Sequence, residues 1–437
     1  MSTSAEALVA RRRFLKTAAM PALAVLHPLA SECASGAKGP LKVAKLEYLR
    51  LEGQRSAAVG VNRQPMLMPN DAYRRPRAGD FRDARPPVIK KIPIAYNYLR
   101  VVAESGQDGI YGPVDEDALF TIERLFKNLI VGRDALPFNK VWDELYLARG
   151  LSRAGYSTMA AISALDNALW DLRGKYHGLP VCALFGGPTR ESVEPYASCK
   201  NYSQHPDDIH ARIGELKESG FRRFKYHFSY GPSHGREGLR KNVDLVRNLR
   251  QAAGEDCEIM FDAYMSWDLE YAVEWAKQAE AYSPRFIEEC FPRDRLDDYV
   301  QLKRKTVIPV ATGEHLYGRP DVLPYLRAGA VDVLQCDPEW CGGINELSRV
   351  AAMAAPFGVK VVPHGQNLHA ALHAVASQPP DVCPMFEYLV GYMEYRHHFE
   401  KKVPRPLEGR IAAPQAPGFG IELDPAKIEK QTLLAWR

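Results

Sequence analysis

The stretch FRRFKYHFSY, residues 221–230, alternates with a period of two. Phe224, Tyr226 and Phe228 share one parity, and Lys225 and His227 share the other. Successive side chains of an extended strand point to opposite faces, so the aromatics form one surface and the ammonium and imidazole the other. Taken alone, the pattern suits an edge strand with one wet face. Its neighbours point elsewhere. Short β-type runs recur through the second half of the chain: VEPYASC, FRRFKYHF, EIMFDAY, RFIEEC, PVATGE, VDVLQCD, KVVPHG and MFEYLVG. Segments between them, such as 236–252, 268–281 and 343–355, carry helical spacing. Eight strands with seven intervening helical segments predict a parallel (β/α) barrel, with a doubly wound open sheet as the alternative. In the barrel, the aromatics of this stretch pack outward on helices while Lys225 and His227 face the interior.

Upstream the rhythm differs. Residues 41–53 read as a strand, and 62–91 as a Pro/Arg-rich loop containing Arg63, Arg74, Arg75, Arg82 and Arg85. Residues 94–112 read as two strands joined by a Gly-containing turn. Helical stretches follow near 115–130, 138–149 and 157–176, the last closed by Gly178 and Pro180. Strands followed by a helical block predict an α+β first domain. The expected organisation is a targeting segment over 1–40, a first domain over 41–185, the barrel over 186–391 and a C-terminal segment over 392–437.

At 437 residues the chain can bury a large core, and its 46% hydrophobic and 25% charged content is ordinary for a globular protein. The net charge is +4, but five Arg or Lys and two Glu among the first forty residues account for +3 of it. A nearly neutral body argues against nucleic acid or an anionic membrane as the main partner. The eight cysteines lack CxxC pairs and read as reduced and structural. RRRFLK, residues 11–16, resembles a twin-arginine export signal. The apolar stretch after it is interrupted by Pro21, His27 and Pro28 and is too short to span a membrane. An exported, periplasmic protein is expected, with any cofactor loaded in the cytoplasm.

Polar residues fall at the ends of the strand runs. Lys225 and His227 lie near the end of the second, and Asp262, Glu288, Glu314, Asp337, His364 and Glu387 close the third to the eighth. In such barrels the C-terminal strand ends line the active site. Asp262, Glu288 and Glu314 come from adjacent strands and would repel one another, so a cation is their natural partner. All-oxygen ligation favours Mg²⁺. A salt-bridge cluster is the structural alternative. Glu289 neighbours Glu288, and strand alternation lets only one of the two face inward.

Further stretches carry a family likeness: ALDNALWDLRGKYHGLPVCALFGG (164–187), YGPSHGREGLRKN (230–242), FIEEC (286–290), TGEH (312–315), CDPEWCGG (336–343), VVPHG (361–365) and PGFGIEL (417–423). Over residues 41–425 the chain resembles the enolase superfamily, in its mandelate racemase subgroup, and within that the L-rhamnonate dehydratase family. The resemblance implies an α/β fold in which an α+β capping domain covers a modified (β/α)₇β TIM-like barrel and the C-terminal tail returns to the cap. It implies Asp262, Glu288 and Glu314 as Mg²⁺ ligands, His364 with Asp337 as a dyad, and Lys225, His315 and Glu387 as further site residues. The implied activity is Mg²⁺-dependent dehydration of a sugar acid (an aldonate) to a 2-keto-3-deoxy acid, by a homo-oligomer.

The chemistry is coherent. A proton beside a carboxylate is weakly acidic, and removing it gives an enediolate whose charge Mg²⁺ and Lys225 would stabilise while an imidazole exchanges protons. Asp337 would fix the tautomer of His364 and favour its protonated form. Three departures stand out: Lys225-Tyr226-His227 where that family carries Lys-x-Pro, Pro338–Glu339 within CDPEWCGG, and QNLHAALHA after VVPHG. His227 suggests a second acid/base or a contact to a substrate hydroxyl, whereas His369 and His373 read as helix residues. A racemase or epimerase, with Lys225 or His227 opposite His364, is one alternative function; a non-catalytic sugar-acid-binding protein is another.

Replacing Arg11 and Arg12 by Lys should retain the protein in the cytoplasm, as followed by cell fractionation. Undiminished export would overturn the reading of residues 11–16.

Overall fold

A long helix, Tyr156–His177, is buried without interruption over 158–174 in the computed structural model, which describes residues 39–73, 81–148 and 155–436. Residues 11–16, expected to form an export signal, and Arg74 and Arg75 lie outside the described residues. A helix apolar on nearly every side must be enclosed by other elements. Here strands Val88–Ala103 and Asp108–Tyr111 contact one side of it, and elements of the barrel contact another.

The cap sheet is antiparallel and has four strands, ordered Lys430–Leu433, Val43–Val59, Val88–Ala103 and Asp108–Tyr111. Its first member is the returning tail, with Leu433 opposite Leu49 and Lys430 opposite Glu52. The two long strands pair out to Val59 and Val88, so the strand runs beyond residue 53 and the loop ends earlier than the expected 91. This outer arm buries little, and Val88 and Ile89 are 51% and 62% exposed. Main-chain pairing holds it without a hydrophobic alternation to announce it.

The barrel strands are Tyr196–Cys199, Arg223–His227, Glu258–Asp262, Phe286–Glu288, Val310–Thr312, Val333–Leu334, Lys360–Val361 and Glu387–Leu389. All neighbours are parallel, and the eighth strand pairs with the first. The seam between the seventh and eighth is bridged where Glu387 N–H donates to Pro363 O at 3.0 Å. Helices such as Gly235–Ala253, Leu269–Ala279 and Gly343–Ala354 fill the intervals. Phe224, Tyr226 and Phe228 do pack outward, with Phe228 against Trp267 and Trp275. Inside, Tyr196, Met260, Phe286, Ala311, Val333, Val362 and Met385 form an apolar floor. VEPYASC splits: Ser192–Val193 leaves the barrel and pairs with Ile411–Ala412.

The buried polar groups of the long helix have a specific use. Ser163 Oγ accepts from Gly342 and Gly343 N–H at 2.8 and 3.0 Å, Asn167 Oδ1 from Ile344 at 2.9 Å, and Asp166 Oδ2 from Asn345 at 3.1 Å. These four donors open the helix Gly343–Ala354, whose first N–H groups have no intrahelical acceptor. Asn167 Nδ2 also donates to Pro338 O at 3.1 Å. The cap therefore grips the segment that follows the sixth barrel strand.

Gly343 makes that grip possible. Its φ is +88°, and a Cβ there would lie 2.3 Å from Asp166 Oδ2. Gly343→Ala should lower stability by on the order of 3 kcal/mol, since steric conflict adds to backbone strain. Gly329→Ala, at φ +61° with open space around it, should lose only about 1 kcal/mol. Equal losses in urea unfolding would show that close approach is not what requires glycine at 343.

Candidate active site

Parallel register places His227 beside Asp262 and Asp262 beside Glu288, so three polar side chains form one row across neighbouring strand ends. Lys225 lies one inward step lower on its strand and reaches up into the row. Its Nζ donates to Glu288 Oε1 and Oε2 at 2.8 and 2.7 Å, meets Glu387 Oε1 at 2.8 Å, and lies 3.7 Å from Asp262 Oδ2. His227 Nε2 is 3.0 Å from Asp262 Oδ2, and Tyr264 N–H donates to Asp262 Oδ1 at 2.7 Å. Both side chains of the 225–227 strand end thus serve buried carboxylates.

Asp262, Glu288 and Glu314 each offer an oxygen within 4.8 Å of the others, and all three are buried. Burial would raise the Asp262 carboxyl, but His227 and Lys225 hold it well below its ordinary range. Glu288 moves the other way: burial, with the charges of Asp262, Glu387 and Glu314, outweighs Lys225 and drives its pKa well up. A carboxylate under that pressure fits a divalent cation, which removes the repulsion without a proton. The donor set is all oxygen, as Mg²⁺ prefers.

His364 stands across from this trio. Its Nδ1 donates to Asp337 Oδ2 at 2.6 Å, which leaves Nε2 facing the site, 3.7 Å from Glu314 Oε2 and 3.6 Å from Glu387 Oε2. Asp337 is fixed in turn by the N–H groups of Glu339 and Gln366 at 2.6 and 3.1 Å. Burial alone would lower the His364 pKa, but Glu314, Glu387 and Asp337 push it up to about 10. For Glu387, burial opposes ionisation, yet Lys225 and His364 bring its pKa down to about 2. The Trp340 indole lies over the imidazole, with ring centres 4.9 Å apart at 30°.

The nine residues singled out from the sequence all meet at this end of the barrel, but one argument about them needs correction. Alternation was expected to turn Glu289 away; instead Glu289 is buried and turned to the same end as Glu288. The strand stops at Glu288, and Glu289 adopts a left-handed φ of 43°, where a period of two no longer applies. Both its oxygens lie 3.0 Å from His315 Nδ1. Burial and Glu314 raise its pKa to about 7 against the pull of His315. Glu289, Glu314 and His315 form a second close group sharing Glu314 with the first.

Other expectations shift as well. Three arginines of the 62–91 loop are engaged by the protein: Arg82 with Asp208 at 3.0 Å, Arg85 with Glu215 at 3.2 Å, and Arg63 with Arg82 O at 2.9 Å. Glu339 joins cap to barrel through Tyr111 OH and through Asn367 Nδ2 at 2.9 Å. His369 and His373 do lie in a helix, His369–Ser377. His369 Nε2 and His397 Nδ1 each bond a different oxygen of buried Glu400 at 2.7 Å, and His373 Nδ1 accepts from Cys182 N–H at 3.1 Å. Trp340 is the site group with no mark in the sequence beyond lying three residues after Asp337, and Glu289 is the one placed on the wrong side.

Comparison with known proteins agrees with this geometry. Residues 101–186 match the mandelate racemase / muconate lactonizing enzyme N-terminal domain, and residues 208–427 match the enolase C-terminal domain-like family. The chain is 32% identical over 343 residues to L-rhamnonate dehydratase of Saccharopolyspora erythraea, covering 75% of this chain and 83% of that one. Rhamnonate dehydratase of Gibberella zeae, solved in complex with Mg, superposes with a TM-score of 0.74 at 27% identity over 90% of this chain and 96% of that one. The 3,6-anhydro-D-galactonate cycloisomerase of Zobellia galactanivorans shares the fold, with a TM-score of 0.70 at 23% identity over 89% and 100% of the two chains. Two family matches spanning cap and barrel, together with that degree of identity, place this chain in the mandelate racemase / muconate lactonizing enzyme family of the enolase superfamily.

Proposed function

We propose that this protein is a Mg²⁺-dependent dehydratase of a sugar acid, converting a 2,3-dihydroxy carboxylate to a 2-keto-3-deoxy acid and water. The observation that carries the reading is the position of His364 Nε2, held by Asp337 and facing the carboxylate trio. The relationship to enzymes named rhamnonate dehydratase supports the substrate class. Asp262, Glu288 and Glu314 would hold the cation, which would supply positive charge to the substrate carboxylate when bound. Its charge would also offset the pull of Glu314 on His364, bringing the imidazole nearer to the neutral form a base requires.

Neutral His364 takes the proton from C2 at Nε2, while Nδ1–H stays with Asp337. Lys225 contributes fixed positive charge beside the carboxylates as the substrate becomes more negative. The 3-hydroxyl then leaves with a proton returned from His364, and the enol product becomes the ketone. A racemase needs a second acid/base on the opposite face. Lys225 is committed to Glu288 and Glu387, and His227 Nε2 to Asp262, so that arrangement is not favoured. A binding protein would have no use for the dyad. Screening aldonates for 2-keto-3-deoxy product and following deuterium exchange at C2 separates the three readings.

Chelation should abolish turnover. Glu288→Gln should raise the Mg²⁺ concentration needed for activity sharply, and Glu289→Gln far less. Similar behaviour of the two variants would mean that the ligand has been misassigned.

His364→Asn and Asp337→Asn should each slow turnover by roughly a hundredfold or more. The double variant should be little worse than His364→Asn, because groups acting as a unit are non-additive. Asp337 favours the imidazolium, so Asp337→Asn lowers the His364 pKa. A base works in its neutral form, hence the acid limb of kcat/KM against pH should move to lower pH. Additive losses, or an acid limb that does not respond to Asp337, would rule out the dyad.

A further inference from the structure

The 225–227 strand end carries two cationic or potentially cationic side chains, and the structure divides their work. Lys225 is saturated by Glu288 and Glu387, and its distance to Asp262 Oδ2 is 3.7 Å. His227 is the side chain that reaches Asp262, with Nε2 at 3.0 Å from the same oxygen. A carboxylate accepts only, so Nε2 must be the donor in this pair. The opposite oxygen, Oδ1, is held by Tyr264 N–H at 2.7 Å. That donor is aimed by a left-handed backbone, since Tyr264 has φ 44°.

His227 is itself firmly placed. It is 6% exposed, its carbonyl accepts from Gln204 Nε2 at 2.7 Å, and Phe228 N–H donates to Asp262 O at 2.9 Å. Imidazole and carboxylate therefore sit side by side on two strands whose register is locked. Each Asp262 oxygen gives one lone pair to this frame and keeps another for a ligand. Hydrogen bonds that orient a liganding carboxylate in this way set metal affinity without touching the metal. The same commitment removes Nε2 from proton exchange with substrate.

We propose that His227 is a positioning residue that holds Asp262 for a divalent cation. The inference rests on the metal reading given under Proposed function. Isothermal titration of Mg²⁺ into the chelator-treated full-length protein tests it, with folding of each variant checked by its thermal melt in chelator. His227→Phe keeps a ring of similar size but no donor, and should weaken Mg²⁺ binding roughly 10- to 100-fold. His227→Gln places an amide N–H near the position of Nε2 and should restore affinity close to wild type. Wild-type affinity in His227→Phe with turnover lost would overturn the proposal and move His227 to the substrate. Equal weakening in both variants would also overturn it, since the ring and not the donor would then matter. If the wild type binds no divalent cation and Glu314→Gln changes nothing, the metal reading itself fails.

Discussion

Among the described residues, Asp262, Glu288, Glu289, Glu314, Asp337 and Glu387 bring buried carboxyl groups to one end of this barrel, where Lys225 supplies a buried ammonium. Carboxylates taken from water repel one another and resist ionisation unless compensated. Lys225 touches two of them and lies near a third, while the imidazoles of His227, His315 and His364 take one each. One ammonium cannot neutralise such a group. The site has room in its charge balance for a cation, and His364 Nε2 is set 3.7 and 3.6 Å from Glu314 and Glu387 of the same group. The proposed metal binding and proton transfer would thus draw on one electrostatic arrangement.

The barrel does not hold this arrangement alone. Asp337 owes its position to a short segment, and the cap helix fastens that segment through Ser163, Asp166 and Asn167. Glu339 and Asn367 add a second tie, through Tyr111 of the cap sheet and the carbonyl of Pro113. The tail strand closes the cap sheet from the other end of the chain. Cap and barrel are therefore joined by directional bonds to the segment that carries Asp337 as well as by apolar packing.

Much of this was legible in the sequence because two regularities coincide. Strands of a parallel barrel are short apolar runs at even spacing, and polar residues at or just past their C-terminal ends mark Asp262, Glu288, Glu314, Asp337 and His364 by position, whereas Glu387 opens the eighth strand, Glu387–Leu389, instead of closing it. Where the backbone leaves regular geometry, the marking fails. Glu289 follows its strand in a left-handed turn, and a rule of alternation sends it to the wrong side. The outer arm near Val59 and Val88 announces itself poorly because it buries little besides Ala57, and Val88 and Ile89 stay exposed. The arginines of the cap loop were visible, but their carboxylate partners lie 126 and 130 residues away for Arg82 and Arg85, beyond any local pattern.

The grip of the long helix on residues 342–345 bears on how such two-part enzymes diversify. A cap taken from a relative and fused to this barrel must bring groups equivalent to Ser163, Asp166 and Asn167. Without them, four main-chain N–H groups at the start of Gly343–Ala354 lose their acceptors. Recombination between relatives is accordingly constrained at one helix face, and chimeras are best cut so that this face and the barrel segment it holds come from the same parent.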